Sequence, residues 1–311
     1  MTTVDVSVKA FREYLRGVKA KNTALKYPVY AKEFLRLVES SGYKSFAQMP
    51  PGLLSEFAAM LANQGKSPST IRVQVYAVKK YLEWVKGKGI QVADQTRPDL
   101  PKKQIVMRES LPQHLISLYF RQADLDLDEP IRTAVMLLPC CGLRANELVG
   151  LRLDQIKRVE VKLRNGKTKS TLALRVPGKG NKERYVPLME EGVEILTGYL
   201  AGWRRGKPGV WLFPKIVSRK SLLAKSGKKH ISDRFLRLAL QRMREPLGME
   251  FTPHTMRRTY LTTLWRKGID LKVIANIAGH ASIQTTIDHY ITMDSHDSVK
   301  ALHNAGGALT E

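Results

Sequence analysis

Cysteine is nearly absent from this chain: two of its 311 residues, Cys140 and Cys141, and they are neighbours. Adjacent cysteines pair poorly with each other, so they read as reduced thiols in the core of a cytosolic protein. No run of about 18 apolar residues occurs, which excludes a membrane-spanning helix. The first ten residues lack the apolar stretch of a signal peptide. The seven histidines show no metal-ligand spacing and no cysteine cluster joins them, so no structural metal is expected. Negative charge is scarce as well, with 28 Asp and Glu against 52 Lys and Arg. The carboxylates form no cluster suited to Mg²⁺, which argues against a metal-dependent nuclease.

What is abundant is positive charge, +24 in formal net value. Residues 1–108 hold 19 basic and 8 acidic side chains, net +11, leaving +13 for the rest. An excess confined to one tail would suggest a disordered arm. One shared by two folded halves points to a polyanion as partner, most simply nucleic acid.

The chain divides near residues 88–108, where Gly, Pro, Asp and Lys accumulate and Pro98 and Pro101 disfavour helix. Residues 1–90 carry successive helical patterns. Tyr27, Tyr30, Ala31, Phe34, Leu35 and Val38 recur at helical spacing, and 53–63 form a second amphipathic stretch. Ser67-Pro68-Ser69-Thr70 opens a helix whose stripe is Ile71, Val75, Val78, Leu82 and Val85. Lys79 and Lys80 lie off that stripe, either on a solvated face or against a polyanion. Residues 91–108 read as a linker and 109–311 as a second domain. That domain begins with helical patterns at 115–120 and 131–141 and continues into strands at 158–164, 171–176 and 184–188, a three-stranded antiparallel meander. From 190 onward the pattern is helical again, apart from a basic loop at 215–229. The fold class expected is mainly α with a small antiparallel β-sheet, α+β, in two domains.

Six residues of the second domain each occupy a local sequence that presents them. Arg144 follows the helix-ending Gly142, where its fork of donors can face a phosphate, and Glu147 three residues on can buttress it or cap its helix. An Arg followed by Glu at i+3 also suits a plain surface ion pair. Lys179 stands between Gly178 and Gly180 at a hairpin tip, with Lys182 as its competitor. Thr252-Pro253 starts a helix whose first turn carries His254 and Arg257 on one face, where free N–H groups favour an anion; Arg258 is adjacent. His280 follows the helix-ending Gly279, and a further helix, 283–290, ends in Tyr290. Singly, each has a bland reading as capping, packing or solvent-exposed residue. Together they supply two guanidiniums, two imidazoles, an ammonium and a phenol, which suffices for phosphodiester transfer through a phosphotyrosine.

Gly-Leu-Arg-Ala-Asn-Glu-Leu (142–148), Gly-Lys-Gly-Asn-Lys-Glu-Arg (178–184), Pro-His-Thr-Met-Arg-Arg-Thr (253–259) and Ala-Gly-His-Ala-Ser-Ile-Gln-Thr-Thr-Ile-Asp-His-Tyr (278–290) resemble the signature boxes of the tyrosine recombinase, or phage integrase, family. The resemblance covers about 110–295, and residues 1–90 more loosely resemble the family's helical core-binding domain. The size is similar to that of the short Xer-type members. The resemblance implies a two-domain DNA clamp. It makes Arg144, Lys179, His254, Arg257 and His280 the catalytic set and Tyr290 the nucleophile, with Glu147 in support. Lys79, Lys80, Lys182 and Arg258 are the accompanying DNA-binding candidates. It implies strand cleavage and rejoining without metal, ATP or other cofactor. The implied partner is double-stranded DNA with inverted-repeat half-sites, held by a homo-tetramer or a hetero-tetramer with a paralogue, in the cytoplasm and associated with the nucleoid. One departure stands out: Tyr290 lies ten residues after His280, where many members have nine, and nine falls on His289. A relaxing topoisomerase shares the chemistry, and a non-catalytic integrase relative that only occupies sites shares the basic surface. The short helical N-terminal domain and the intact six-residue set favour the recombinase.

Overall fold

The computed structural model describes residues 3–95, 98–102, 110–162, 166, 168–178, 183–215, 229–280 and 282–290. The chain forms two compact units, Met1–Val106 and Met107–Glu311.

The N-terminal unit is helical: α1 (Thr3–Val18), α2 (Lys21–Ser40), α3 (Leu53–Asn63) and α4 (Pro68–Lys86). Ser67 caps α4 by accepting from the Thr70 N–H at 3.3 Å, with Pro68 at the first helical position. The stripe Ile71, Val75, Val78, Leu82 and Val85 is buried, as its spacing requires, against Phe11 and Leu15 of α1, Phe34 and Leu35 of α2, and Leu53, Phe57 and Leu61 of α3.

The segment read as a linker behaves differently over its described part. Val92, Ala93 and Leu100 pack against this core. The Ala93 N–H donates to the Phe46 carbonyl at 2.9 Å, and Arg72 donates twice to the Pro101 carbonyl, at 3.2 and 3.0 Å. The prolines rule out a helix there but not adhesion, because backbone and side-chain groups of the unit supply hydrogen bonds that a helix would have made internally.

The second unit holds α5 (Ile116–Asp126), α6 (Ile131–Cys141), α7 (Ala145–Val149), strands β1 (Ile156–Lys162), β2 (Thr168–Pro177) and β3 (Glu183–Pro187), then α8 (Glu190–Ala201), α9 (Asp233–Arg242), α10 (Arg244–Leu247), α11 (Pro253–Arg266), α12 (Leu271–Ala278) and α13 (Ile283–Tyr290). The sheet is an antiparallel meander in the order β1-β2-β3, with Ile156 opposite Leu174 and Leu174 opposite Val186. Leu174, Val176 and Val186 form its inward face.

The apolar α6 is the centre of this unit, with Ala134, Val135, Leu137, Leu138 and Cys141 buried. Buried phenols are satisfied by backbone: Tyr119 donates to the Val135 carbonyl at 2.8 Å and Tyr260 to the Pro187 carbonyl at 2.7 Å. Both cysteines are free and buried. Burial pushes the Cys141 thiol up to about 12 and the Cys140 thiol well above its usual range, so neither is a nucleophile. Among the described residues no helix is long and apolar enough to cross a membrane.

Candidate active site

Two left-handed glycines set the frame. Gly142 ends α6 at φ 58°, and Gly279 ends α12 at φ 64°. At the end of α12 the Gly279 N–H donates to the Asn276 carbonyl at 2.9 Å and the His280 N–H to the Ala275 carbonyl at 3.0 Å, the paired bonds of a Schellman motif. This closure leaves the next three carbonyls of the chain open, and arginines from three separate elements fill them. Arg184 Nε donates to Ile277 O at 2.9 Å, Arg257 Nη2 to Ala278 O, and Arg144 Nη2 to Gly279 O at 3.4 Å. The negative end of a helix is where guanidiniums gain most from the aligned peptide dipoles.

Arg144 stands at the N-cap of α7 in extended conformation, φ −67° and ψ 147°. Both alternatives open for Glu147 are realised at once. Its Oε2 accepts from the Arg144 backbone N–H at 2.9 Å, and its Oε1 accepts from Arg144 Nη1 at 3.0 Å. Burial alone would raise the Glu147 carboxyl. Hydrogen bonds from Arg184 and from the Arg144 backbone, with the charges of both guanidiniums, outweigh it and hold the group below its ordinary value. The Arg144 side chain itself keeps 42% exposure, enough to face a ligand.

Arg257 is 2% exposed, one turn into α11. Its Nη1 donates to the Gly142 carbonyl at 2.7 Å, so the ends of α6 and α12 share one planar fork. Arg257 Nη2 lies 3.3 Å from His280 Nε2, and His280 Nδ1 lies 2.9 Å from the hydroxyl of the fully buried Thr286. A guanidinium only donates, which assigns the ring proton to Nδ1 and makes Thr286 Oγ1 its acceptor. Thr286 precedes Tyr290 by four residues on α13, so the two share a helix face. The side chain of Tyr290 is outside the described part of that helix.

Thr252 and Thr255 make a reciprocal cap on α11, with bonds of 3.2 and 3.0 Å. His254 is exposed in the first turn so formed. Lys179 and Lys182 lie outside the described residues, in the stretch of sequence between the paired residues Pro177 and Glu183. Arg258 is only 9% exposed, which leaves it little surface for a DNA contact. In the N-terminal unit, Lys79 and Lys80 are half-buried. Lys80 pairs with Glu83 at 2.6 Å and sits 5.5 Å from the centre of the Tyr76 ring. Among the described residues no group of three His, Cys, Asp or Glu is arranged to hold a metal ion.

The structure thus assembles Arg144, Glu147, Arg257 and His280, and adds two residues that no motif reading singled out as functional, Arg184 and Thr286. Arg184 left one legible trace. It occupies the buried phase of β3, in step with Val186, where a charge needs a partner.

Gly142 carries a local test. A Cβ there would lie 2.3 Å from a ring carbon of Tyr260, in a backbone region that side chains avoid. Gly142→Ala is expected to cost about 2–5 kcal/mol, from left-handed strain and overpacking. It should lower the unfolding midpoint by roughly 5–15 °C in a thermal melt. An unchanged midpoint would show that the turn relaxes freely.

The phage integrase family model matches residues 120–296. Tyrosine recombinase XerD of Pseudomonas aeruginosa is 30% identical over 276 residues, 86% of this chain and 85% of its own. Tyrosine recombinase XerA of Pyrococcus furiosus is 28% identical over 268 residues, 86% of this chain and 82% of its own. Among solved structures, XerH site-specific recombinase bound to palindromic difH substrate superposes with a TM-score of 0.68 at 16% identity, covering 96% of this chain and 94% of that one. A lambda integrase (75–356) dimer bound to a COC′ core site gives 0.66 at 16% identity, covering 94% and 98%. At such identities these likenesses speak for the fold.

Proposed function

This chain belongs to the phage integrase family, and we propose that it is a site-specific DNA recombinase whose strand exchange runs through Tyr290. The observation that carries the reading is the meeting of Arg144, Arg257 and His280 at the end of α12, immediately before the helix that ends in Tyr290. A phosphodiester bound there would have both of its non-bridging oxygens within a field of fixed guanidiniums.

In the step this implies, the Tyr290 oxygen forms a bond to phosphorus and the P–O5′ bond breaks, leaving a 3′-phosphotyrosyl protein and a 5′-hydroxyl. Negative charge grows on the non-bridging oxygens, and Arg144 and Arg257 stabilise it. Lys179 gives the departing 5′ oxygen its proton, and His254 takes the phenol's, since a free phenol with a pKa of about 10 is a weak nucleophile at neutral pH. His280, held by Arg257 and Thr286, positions the phosphate. Attack by the 5′-hydroxyl of a second strand reverses each transfer and rejoins the backbone. The phosphodiester energy is conserved in the covalent bond, so neither ATP nor metal enters the scheme.

Both units are basic, which supports a duplex gripped by each of them, with Lys79, Lys80, Lys182 and Arg258 as candidate contacts. The 9% exposure of Arg258 makes it the weakest of the four. The palindromic difH substrate of XerH supports inverted half-sites here, and with them we propose an assembly of four protomers, acting in the cytoplasm on the nucleoid.

Incubation with duplex DNA in EDTA, followed by denaturing electrophoresis, tests the function. A protein–DNA band that resists denaturant is expected. Cleavage that needs added Mg²⁺, or binding with no covalent band, would overturn the reading. A duplex contacting about ten phosphates should also show binding that falls with salt at a log–log slope of about −9. A slope near −2 on that scale would place most of the charge away from DNA.

A further inference from the structure

We propose that Arg184 is a positioning residue for strand cleavage, holding Glu147, and through it the Arg144 guanidinium, in register with the end of α12 that carries His280. The proposal rests on the strand-transfer function argued above. Arg184 is 8% exposed. Its Nη2 donates to Glu147 Oε2 at 2.8 Å, the same oxygen that accepts the Arg144 backbone N–H, while its Nε donates to Ile277 O at 2.9 Å. One planar group therefore joins β3 to two elements distant in sequence, the start of α7 and the end of α12.

Without this clamp, Arg144 and Glu147 would be an i,i+3 ion pair on a five-residue helix, and pairs of that kind hold geometry weakly. With it, Oε2 accepts a second, charged donor besides the Arg144 N–H, and the carboxylate is fixed against a residue that is itself largely buried. Gly279 makes the fit close. A Cβ at that position would meet the Arg184 guanidinium at 3.0–3.1 Å, while the Gly279 carbonyl accepts from Arg144. Gly279 thus lies between the two guanidiniums, and displacement of one displaces the backbone that contacts the other. Arg184 also stands opposite Val176, one pair from the loop end of the β2-β3 ladder at Pro177 and Glu183, so the same clamp ties that end of the hairpin to the α12 end. Lysine cannot replace the fork, because a single ammonium on a flexible stem lacks two fixed, diverging N–H directions.

The test compares single-turnover covalent capture of a nicked duplex by the wild type, Arg184→Lys and Arg184→Met. Each is given the scissile linkage once as a phosphodiester and once as a neutral methylphosphonate. A misplaced Arg144 matters where charge must be stabilised and matters little where the linkage carries none. Both variants are expected to bind the duplex as the wild type does and to cleave the phosphodiester about 10–100-fold more slowly, as for a small displacement of a catalytic group. On the methylphosphonate their rates should come within about threefold of wild type, since the charge that Arg144 stabilises is gone. Combining Arg184→Met with Glu147→Gln should be no worse than Glu147→Gln alone, because both act through one carboxylate. Equal deficits on the two linkages, full-speed cleavage, or loss of DNA binding along with cleavage would overturn the proposal and leave Arg184 as part of the packing. Failure of the wild type to capture either linkage would instead overturn the strand-transfer reading on which the proposal stands.

Discussion

Tyr290→Phe is expected to abolish the covalent protein–DNA complex while leaving half-site binding within a few-fold of wild type. The substitution removes one hydroxyl, worth at most about 0.5–1.5 kcal/mol as a single hydrogen bond, from a protein whose DNA affinity would come from many basic side chains. Catalysis has no such reserve. Loss of a nucleophile in other enzymes costs about 10⁶ in rate. α13 ends at Tyr290, and the bond of Thr286 to His280 ties that helix to the arginines. Phe leaves that tie untouched, so the helix should dock as before. Gel shift on a half-site and denaturing electrophoresis on a nicked duplex measure the two properties separately. Covalent capture by the Phe variant would show that another residue attacks.

Arg144→Lys and Arg257→Lys should each slow cleavage by about 10²–10³, the usual loss when a preorganised donor to the developing charge is removed. Charge is kept in both, so the loss reports geometry: an ammonium cannot make the two-pronged contact. Their effects on stability should differ. Arg257 is buried and joins the Gly142 and Ala278 carbonyls, so its replacement leaves a buried acceptor short of a donor and costs about 1–3 kcal/mol. Arg144 is 42% exposed, and its partners Glu147 and Gly279 can turn to water or to Arg184, so its replacement should leave the melt within about 0.5 kcal/mol. Single-turnover cleavage and thermal unfolding of both variants check this. Turnover near wild type in either Lys variant would reduce that arginine to a structural part.

Much of this arrangement was legible in the chain because it is written locally. Helices over 53–63, 131–141 and 283–290 have the expected limits, since apolar spacing and terminal residues set them. Gly142 and Gly279 marked helix ends because only a left-handed residue closes them in this way. The three strands fell within a few residues of their places, with shifted edges where Ile156 and Thr168 joined the ladder beyond the run of β-formers.

Other features depend on partners far off in sequence. Nothing near Arg184 says that its guanidinium will meet Glu147, 37 residues away, and Ile277, 93 residues away. Only its place in the buried phase of a strand hinted at a constraint. The adhesion of Val92, Ala93 and Leu100 was hidden for the same reason: a proline-bearing segment without periodicity looks the same whether it packs or not. Arg258 shows the converse, since the sequence does not tell that the arginine beside Arg257 is largely buried on its helix.

The central claim is that Tyr290 is the residue joined to DNA, despite its place one position beyond the spacing that would select His289. It is tested most directly by trapping wild-type protein on a nicked duplex in EDTA, digesting the adduct with protease and nuclease, and sequencing the modified peptide by mass spectrometry. The account predicts a nucleotide attached through its 3′-phosphate to Tyr290, stable to acid as a phosphotyrosine. An acid-labile phosphoramidate on His289, an adduct on any other residue, or linkage through a 5′-phosphate would contradict it.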